Sequence, residues 1–278
     1  MVEDFSKKGL ELPEQESYYE WIDETSFINP KDKPTPPPVA LSFGEYQIAN
    51  KTYPTPLGTY GNFTYIQAKP KQGKTYLASL IASTYLAGEL PNSGDMRGHR
   101  DGKKLLYFDT EQGYFHAHNV ASRIHQMAGS TNGSFLNYAL RNISPENRLG
   151  FIDWKIRNTD NVGMVMIDGI ADLLKSDVND QEESNRIVQF LMSWTQEFNI
   201  HLMTIIHTNP GHEVKKATGH LGSQLERKTE TTIHIEREDE HTIVKCLNSR
   251  NESFKTFAFR LINDKPIIDK NYANLLTF

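Results

Sequence analysis

Short apolar segments alternate along this chain with longer segments of helical periodicity. The clearest strand signal is VGMVMID at 162–168, a nearly unbroken apolar run of the kind that is buried on both faces of a sheet. HLMTIIHT at 201–208 predicts a further buried strand. TYLASLIASTYLAG at 75–88 has apolar residues at helical spacing, and Gly88 is a typical helix stop. Strands that alternate with helices indicate an α/β domain with a mainly parallel central sheet.

The same pattern predicts the other elements of the domain. Further strands are expected at 62–68, 104–110 and 135–140, and helices at 114–128, 144–158 and 182–198. From residue 231 onward the chain reads as strands joined by turns, TTIHIERE, HTIVKCLN and KTFAFRLIN. We therefore expect antiparallel strands at the C-terminal end of the sheet.

The N-terminal region differs in composition from the rest. Residues 1–38 are rich in acids and prolines and end in three consecutive prolines, which predicts an extended arm or linker. YYEWI at 18–22 is an apolar cluster within it, which either packs against the domain's own flank or grips a neighbouring subunit. One folded domain is expected over 39–263, followed by a tail over 264–278.

Composition narrows the class of protein. Hydrophobic residues make up 37% and charged residues 23%, as in ordinary soluble globular proteins, and no apolar run reaches the ~20 residues of a membrane span. The N-terminus lacks a secretory signal, and the single cysteine fits a reducing compartment, so a cytoplasmic protein is expected. Net charge is −5, so any contact with nucleic acid has to be local, as in the channel of a ring.

The segment AKPKQGKTY at 68–76 resembles a phosphate-binding loop without its first glycine. The usual pattern, G-x-x-x-x-G-K-[ST], has glycine where this chain has Ala68. The substitution matters only if that position needs a positive φ. A strand before the segment and a helix after it allow loop N–H groups and the helix N-terminus to surround a phosphate. The predicted nucleotide-binding residues are Ala68, Lys69, Pro70, Lys71, Gln72, Gly73, Lys74, Thr75 and Tyr76.

Two acids at predicted strand ends complete a candidate nucleotide site. Asp168 ends an apolar strand, the Walker B arrangement, and together with the Thr75 hydroxyl would hold Mg²⁺; its alternative role is to cap the following turn. Glu111 follows the strand at 104–110 and could orient and deprotonate an attacking water, or be a solvated loop acid. Asp109 is the second candidate for the catalytic carboxylate.

This order of motifs, together with IIHTNPG at 205–211, resembles the RecA-like ATPase core. Within that superfamily the chain most resembles the hexameric replicative helicases of the RepA and DnaB type, including RepA-like ATPases of plasmids, phages and mobile elements. The resemblance covers residues 40–263. GHLGSQLERKTETTIHIERE at 219–238 is similar to the segment that follows the DNA-facing loop of that group, and NSRNESFKTFAFRL at 248–261 to the region that holds an arginine finger.

The resemblance implies roles for further residues. His207 would sense the γ-phosphate, unless it is a hydrogen-bonded core histidine. Arg250 would be the finger that reaches a neighbour's site, with Arg260 as the competing arginine. Asn248 departs from the family, whose members often carry lysine there. The loop at 209–223 would line a channel for DNA or be a plain surface loop; its candidate DNA-binding residues are Lys215, Lys216, His212 and His220.

The resemblance also implies an activity. It predicts an ATPase that uses ATP and Mg²⁺ at the interfaces of a homo-oligomeric ring, a hexamer, and that moves along or remodels single-stranded DNA with replication or mobilisation proteins as partners. Two alternatives stay open. One is a RecA-like ATPase that acts as a non-translocating switch or scaffold in recombination or mobile-element maintenance. The other, suggested by Ala68, is a degenerate module that binds nucleotide without hydrolysis.

Overall fold

A computed structural model describes residues 15–129, 131–208 and 217–275 of the chain. The chain divides into two compact units, Met1–Pro36 and Pro37–Phe278. Within the first unit, residues Gln15–Ser26 form helix α1, in which the rings of Tyr18 and Trp21 stack 5.7 Å apart. This helix was not expected in a region whose composition predicts an extended arm. In the described ranges, no helix is both long and apolar enough to cross a membrane.

The second unit is built on a large mixed sheet. The order of the nine strands in its described part is β12-β11-β10-β9-β3-β8-β7-β5-β6. The strands of the second unit are β1 (Val39–Ile48), β2 (Lys51–Thr59), β3 (Phe63–Ala68), β4 (Met96–Gly98), β5 (Lys104–Asp109), β6 (Phe135–Ala139), β7 (Val162–Asp168), β8 (His201–His207), β9 (Thr231–Glu238), β10 (His241–Ser249), β11 (Phe257–Ile262) and β12 (Lys265–Ile268). Its helices are α2 (Lys74–Ala87), α3 (Tyr114–Ala128), α4 (Pro145–Arg157), α5 (Gln181–Phe198), α6 (Gly219–Lys228) and α7 (Lys270–Leu275).

Strand direction divides this sheet into two parts. The strands from β9 through β3, β8, β7 and β5 to β6 pair in parallel, whereas β9 to β12 pair antiparallel. The predicted α/β fold, a RecA-like P-loop ATPase core with a mainly parallel sheet and antiparallel C-terminal strands, is therefore confirmed.

Helices cover both faces of the sheet, so successive strand residues enter different cores. In β7, Met164 and Met166 pack with α2 and α3 on one face, and Val165 and Ile167 pack with the helices on the other. This burial on both faces explains why the strand reads as a continuous apolar run. Helix α5 buries the stripe Ile187, Leu191 and Trp194; Asp180 caps its N-terminus by accepting a hydrogen bond from the Glu183 N–H at 3.0 Å.

Two regions differ from the sequence-based expectation. A three-stranded antiparallel sheet, β2-β1-β4, takes two strands from before the phosphate loop and one, β4, from after α2; its strands β1 and β2 alternate too irregularly to be predicted. At the other end, β12 hydrogen-bonds to β11, so the large sheet continues beyond residue 263, where the tail is expected to begin. Helix α7 follows it.

Candidate nucleotide site

The carboxyl ends of four parallel strands bring the predicted site residues to one edge of the sheet. Ala68 at the end of β3 pairs with His207 at the end of β8, and Asp109 at the end of β5 pairs with Asp168 at the end of β7. Lys74 begins α2 immediately after the loop that follows β3. Residues far apart in sequence are thus close in space, at the edge where open α/β sheets bind ligands.

The missing glycine of the phosphate loop (residues 68–76) falls at a position that does not need one. Ala68 is fully buried as the last residue of β3 and has a negative φ. Gly73 has a φ of +92°, and a Cβ there would lie 3.0 Å from the Thr242 hydroxyl. The left-handed residue of the loop that is not glycine is Lys71, with a φ of +63°. The loop therefore has a glycine, Gly73, where its backbone requires one, and its strained backbone position is Lys71.

Lys74 is held inside the site by two acceptors. Its ammonium donates to the Lys69 carbonyl at 3.0 Å and to His207 Nδ1 at 3.1 Å, and only 7% of the residue is exposed. Burial lowers the pKa of Lys74, while the carboxylates of Glu111 and Asp168 oppose that shift. A desolvated cation next to the start of α2, where the Lys74 and Thr75 N–H groups have no intrahelical acceptor, is a ready site for phosphate oxygens.

His207 connects Lys74 to Glu111. Because the Lys74 ammonium can only donate, His207 Nδ1 accepts, and its Nε2 lies 3.6 Å from Glu111 Oε1. His207 lowers the pKa of Glu111, with a smaller contribution from Lys74, although partial burial opposes the shift. Because its pKa is lowered, Glu111 is ionised at neutral pH. Its side chain is half exposed and lines the cleft. It is suited to accept a hydrogen bond from a water molecule.

The two candidate catalytic carboxylates have different surroundings. Asp109 is fully buried, and its oxygens accept from the Gln112 N–H at 2.8 Å, the Gln112 side-chain amide at 2.9 Å and the Glu111 N–H at 3.2 Å. These bonds shape the turn that carries Glu111. Asp109 is thus a structural group, and of the two acids Glu111 is the one that lines the cleft.

Asp168 is a buried acid with few donors. Its Oδ2 accepts from the Tyr107 hydroxyl at 3.0 Å, and only 3% of the residue is exposed. Burial, then the neighbouring Asp109, raises the pKa of Asp168 to about 7. Asp168 does not itself line the cleft but lies close enough to Lys74 to interact with its charge. The Asp168 carboxylate and the Thr75 hydroxyl are hard oxygen donors of the kind that Mg²⁺ binds. Because Asp168 is set back from the cleft, its contact with the metal would pass through a water molecule.

The cleft beside the loop includes residues that the sequence did not single out. It has a volume of about 540 Å³ and is bordered by both Lys74 and Glu111. Its other wall is the turn between β9 and β10 with part of β11. This wall contributes Arg237, Glu240, Thr242 and Leu261. The Arg237 N–H donates to Gln72 Oε1 at 2.5 Å, which ties the wall to the loop. The parallel pairing of β9 with β3 places this wall beside the loop, and the sequence carries no local signal of that pairing.

Arg250 lies at the opposite edge of the sheet. Strand β10 runs from Thr242 at the cleft to Ser249, which pairs with Thr231 at the start of β9. Thr242 and Arg250 are eight positions apart in extended chain, about 25 Å. The Arg250 guanidinium is exposed and donates to the Lys228 carbonyl at 3.0 Å. It cannot reach the cleft of its own chain. Arg260, the competing arginine, lies within β11 and pairs with Asp269.

Most of the candidate DNA-binding segment lies outside the described residues. His212, Lys215 and Lys216 belong to that part of the chain. His220, expected in a loop, lies instead exposed in the first turn of α6, because Leu221 and Leu225 give the chain an apolar helical face from residue 219 onward. The ends of the segment are joined by a bridge between Thr208 and Ala217.

The comparisons with known proteins agree with this geometry. A family model described as AAA domain matches residues 50–213, more than half of the chain, including the phosphate loop, Glu111, Asp168 and His207. A search of curated proteins found no match. The chain belongs to this AAA-domain family and is a nucleotide-binding P-loop ATPase.

Proposed function

We propose that this protein is a Mg²⁺-dependent ATP hydrolase that works as a ring, in which each subunit completes the site of the next, and that it moves along or remodels single-stranded DNA. The observation that carries the proposal is the distance between the cleft and Arg250. The residues that hold phosphate lie at one edge of the sheet, and the exposed arginine lies about 25 Å away at the other. In a homo-oligomer, Arg250 of a second copy reaches the cleft of the first.

The residues of the cleft divide the work. Lys74 and the N–H groups that begin α2 bind the β- and γ-phosphates, and Thr75 with Asp168 would hold Mg²⁺, which when bound neutralises charge on the phosphate oxygens. Glu111 orients the attacking water. His207, which now accepts from Lys74, is placed to change partners when a phosphate draws the ammonium away. Arg250 of another subunit offsets the charge that develops in the transition state.

The proposal of DNA coupling rests on the neighbourhood of His207. Thr218 donates from its N–H at 3.0 Å and from its hydroxyl at 2.7 Å to the His207 carbonyl. The Thr208–Ala217 bridge joins the two ends of the segment that contains Lys215 and Lys216, next to the same residue. A shift of His207 on hydrolysis would therefore reach the ends of that segment.

Turnover with and without single-stranded DNA tests the proposal. We expect ATP hydrolysis that an oligonucleotide stimulates, and an R250A variant that binds nucleotide normally but hydrolyses it about 10³-fold more slowly, as with other arginine fingers. Hydrolysis that DNA leaves unchanged would favour the switch or scaffold. Binding without hydrolysis would favour the degenerate module.

Lys215 and Lys216 have their own test. In K215A/K216A the stimulation by DNA should fall, and the slope of log affinity against log salt should decrease by about 1–2, because two phosphate contacts are lost. K31A/K33A removes the same charge from the N-terminal unit and serves as the matched control. Equal salt slopes for the two variants would exclude contact between Lys215 and Lys216 and DNA.

A further inference from the structure

A buried carboxylate, Glu230, lies at the edge of the sheet opposite the cleft. Only 4% of the residue is exposed, yet both of its oxygens are hydrogen-bonded. Oε2 accepts from the Thr59 N–H at 2.8 Å, and Oε1 accepts from the Thr59 hydroxyl at 2.6 Å and from the Asn251 side-chain amide at 2.7 Å. These partners are distant in sequence, so Glu230 joins the end of β2 to the turn after β10.

That turn carries Arg250. The Arg250 N–H donates to the Glu230 carbonyl at 2.9 Å, and the Asn251 N–H donates to the Ser249 hydroxyl at 3.1 Å. The backbone on both sides of Arg250 is therefore fixed, while its guanidinium stays at the surface. A long cationic side chain on a fixed turn loses less conformational entropy when it binds a partner than one on a mobile loop.

The anchor of this turn is the strand that leads to the phosphate loop. The Glu230 N–H donates to the Phe63 carbonyl at 2.9 Å, and the Thr229 hydroxyl donates to the same carbonyl at 2.9 Å. Phe63 begins β3, and Ala68 at its other end leads into the loop. His201 Nδ1 donates to the Thr59 carbonyl at 3.0 Å and fixes the other support of Glu230. One buried strand thus connects a subunit's own cleft with the arginine at its far edge.

We infer that Glu230 and Asn251 are positioning residues for Arg250, which hold its turn in the orientation that lets the guanidinium enter the site of a neighbouring copy. The inference rests on the proposed role of Arg250 in the neighbour's site. Neither residue lines the cleft of its own chain. Their effect is on hydrolysis in the next subunit, because misplacing a charged group by about 1 Å is enough to cost about 100-fold in rate.

N251A is the main test because Asn251 is exposed and its loss leaves the bonds between Glu230 and Thr59 intact. We expect kcat to fall about 10- to 100-fold while the affinity for ATP is unchanged. In E230Q one carboxylate oxygen becomes an amide NH₂ group, which cannot accept a hydrogen bond from Thr59 or Asn251. This variant should likewise lower kcat and leave the affinity for ATP unchanged. D153N is the matched control, since Asp153 accepts from Trp194 at 2.8 Å and Arg157 at 2.9 Å in the α4–α5 region.

Mixing experiments separate positioning from damage to the fold. E111Q has an intact arginine turn but a dead cleft, whereas N251A has an intact cleft but a displaced turn. In rings formed at random from equal amounts of the two variants, about a quarter of the interfaces combine the intact cleft of N251A with the intact arginine turn of E111Q. Such mixtures should therefore recover up to about a quarter of wild-type turnover. N251A mixed with R250A should recover nothing, since both lack a working arginine.

The outcomes distinguish the inference from the proposed function. If R250A mixed with E111Q recovers turnover but N251A alone has the wild-type kcat, the positioning role is wrong and the arginine proposal stands. If R250A mixed with E111Q stays inactive, the arginine does not act between subunits and both ideas fail. Recovery of N251A by R250A would also overturn the positioning role, because it would place the defect of N251A outside the arginine turn.

Discussion

Asp168 at the cleft edge of the central sheet and Glu230 at the opposite edge are both buried carboxylates, and they differ in how fully they are hydrogen-bonded. At the cleft edge, Asp168 accepts one side-chain hydrogen bond, from Tyr107, and lies beside Asp109. At the opposite edge, Glu230 accepts three, from Thr59 and Asn251. Burial of a charge is costly unless it is satisfied.

This difference separates a ligand site from a structural support. An incompletely bonded acid of raised pKa beside a desolvated lysine is arranged for groups that arrive from outside. A fully bonded acid fixes the chain around it. Burial of Asp168 at the cleft edge therefore lowers the stability of the fold but leaves a carboxylate free to bind a ligand. Burial of Glu230 at the far edge makes the chain around it rigid.

The largest expected effect is that of E111Q on turnover. Glu111 is the ionised carboxylate that faces the cleft, so its amide should slow hydrolysis about 10²- to 10⁴-fold and leave ATP binding nearly unchanged. E240Q changes another acid of the same cleft and is the matched control. Steady-state ATPase assays check both variants. Equal turnover of E111Q and E240Q would remove Glu111 from the catalytic role.

The next effect concerns the stability cost of Asp168. Its pKa is raised from 3.8 to about 7 in the folded protein. Between these values the unfolded chain releases the proton while the folded protein keeps it, so folding loses stability as pH rises through this window and bears the full cost above it. The cost amounts to at most about 4 kcal/mol.

D168N should remove this cost. Without Mg²⁺ and nucleotide, its free energy of unfolding should exceed that of the wild type increasingly from about pH 4 to about pH 7, because the amide does not ionise. Urea denaturation at several pH values measures the difference. A gap between the two proteins that does not change with pH would mean that Asp168 is already stabilised as an anion, as expected of a structural acid.

The smallest effect contrasts two positions of the phosphate loop. K71G should raise the free energy of unfolding by about 0.5–1 kcal/mol, because glycine relieves the left-handed backbone at Lys71. A68G should lower it by about 1 kcal/mol, because it removes a buried methyl group and loosens the end of β3. Denaturation curves of the two variants should shift in opposite directions. A stabilising A68G would show that the family's glycine is needed after all.

The sequence predicted the cleft edge better than the far edge. Apolar runs that end in polar residues, as in 162–168, identify both strands and their carboxyl ends, and a known loop pattern supplies Lys74 and Thr75. The sequence ranked Glu111 above Asp109 as the catalytic carboxylate but could not show which of them faces the cleft, because that depends on the direction in which each side chain points. The strain at Lys71 is likewise a property of the backbone.

Glu230 carried no signal in the sequence. Its hydrogen bonds reach Thr59, 171 positions away, and Asn251, 21 positions away. A contact that joins three separate segments leaves no local periodicity or spacing to read. Helix α6 was partly missed for a related reason, since its first turn follows a glycine- and lysine-rich segment that predicts a loop.

A crystal structure with Mg²⁺ and a non-hydrolysable ATP analogue tests the central claim most directly. In this structure, Lys74 Nζ lies 3.1 Å from His207 Nδ1 and 3.0 Å from the Lys69 carbonyl. The account predicts that the ammonium leaves both acceptors for the phosphate oxygens and that the metal lies between Thr75 and Asp168. An analogue bound elsewhere, or bound with the contact between Lys74 and His207 intact, would contradict it.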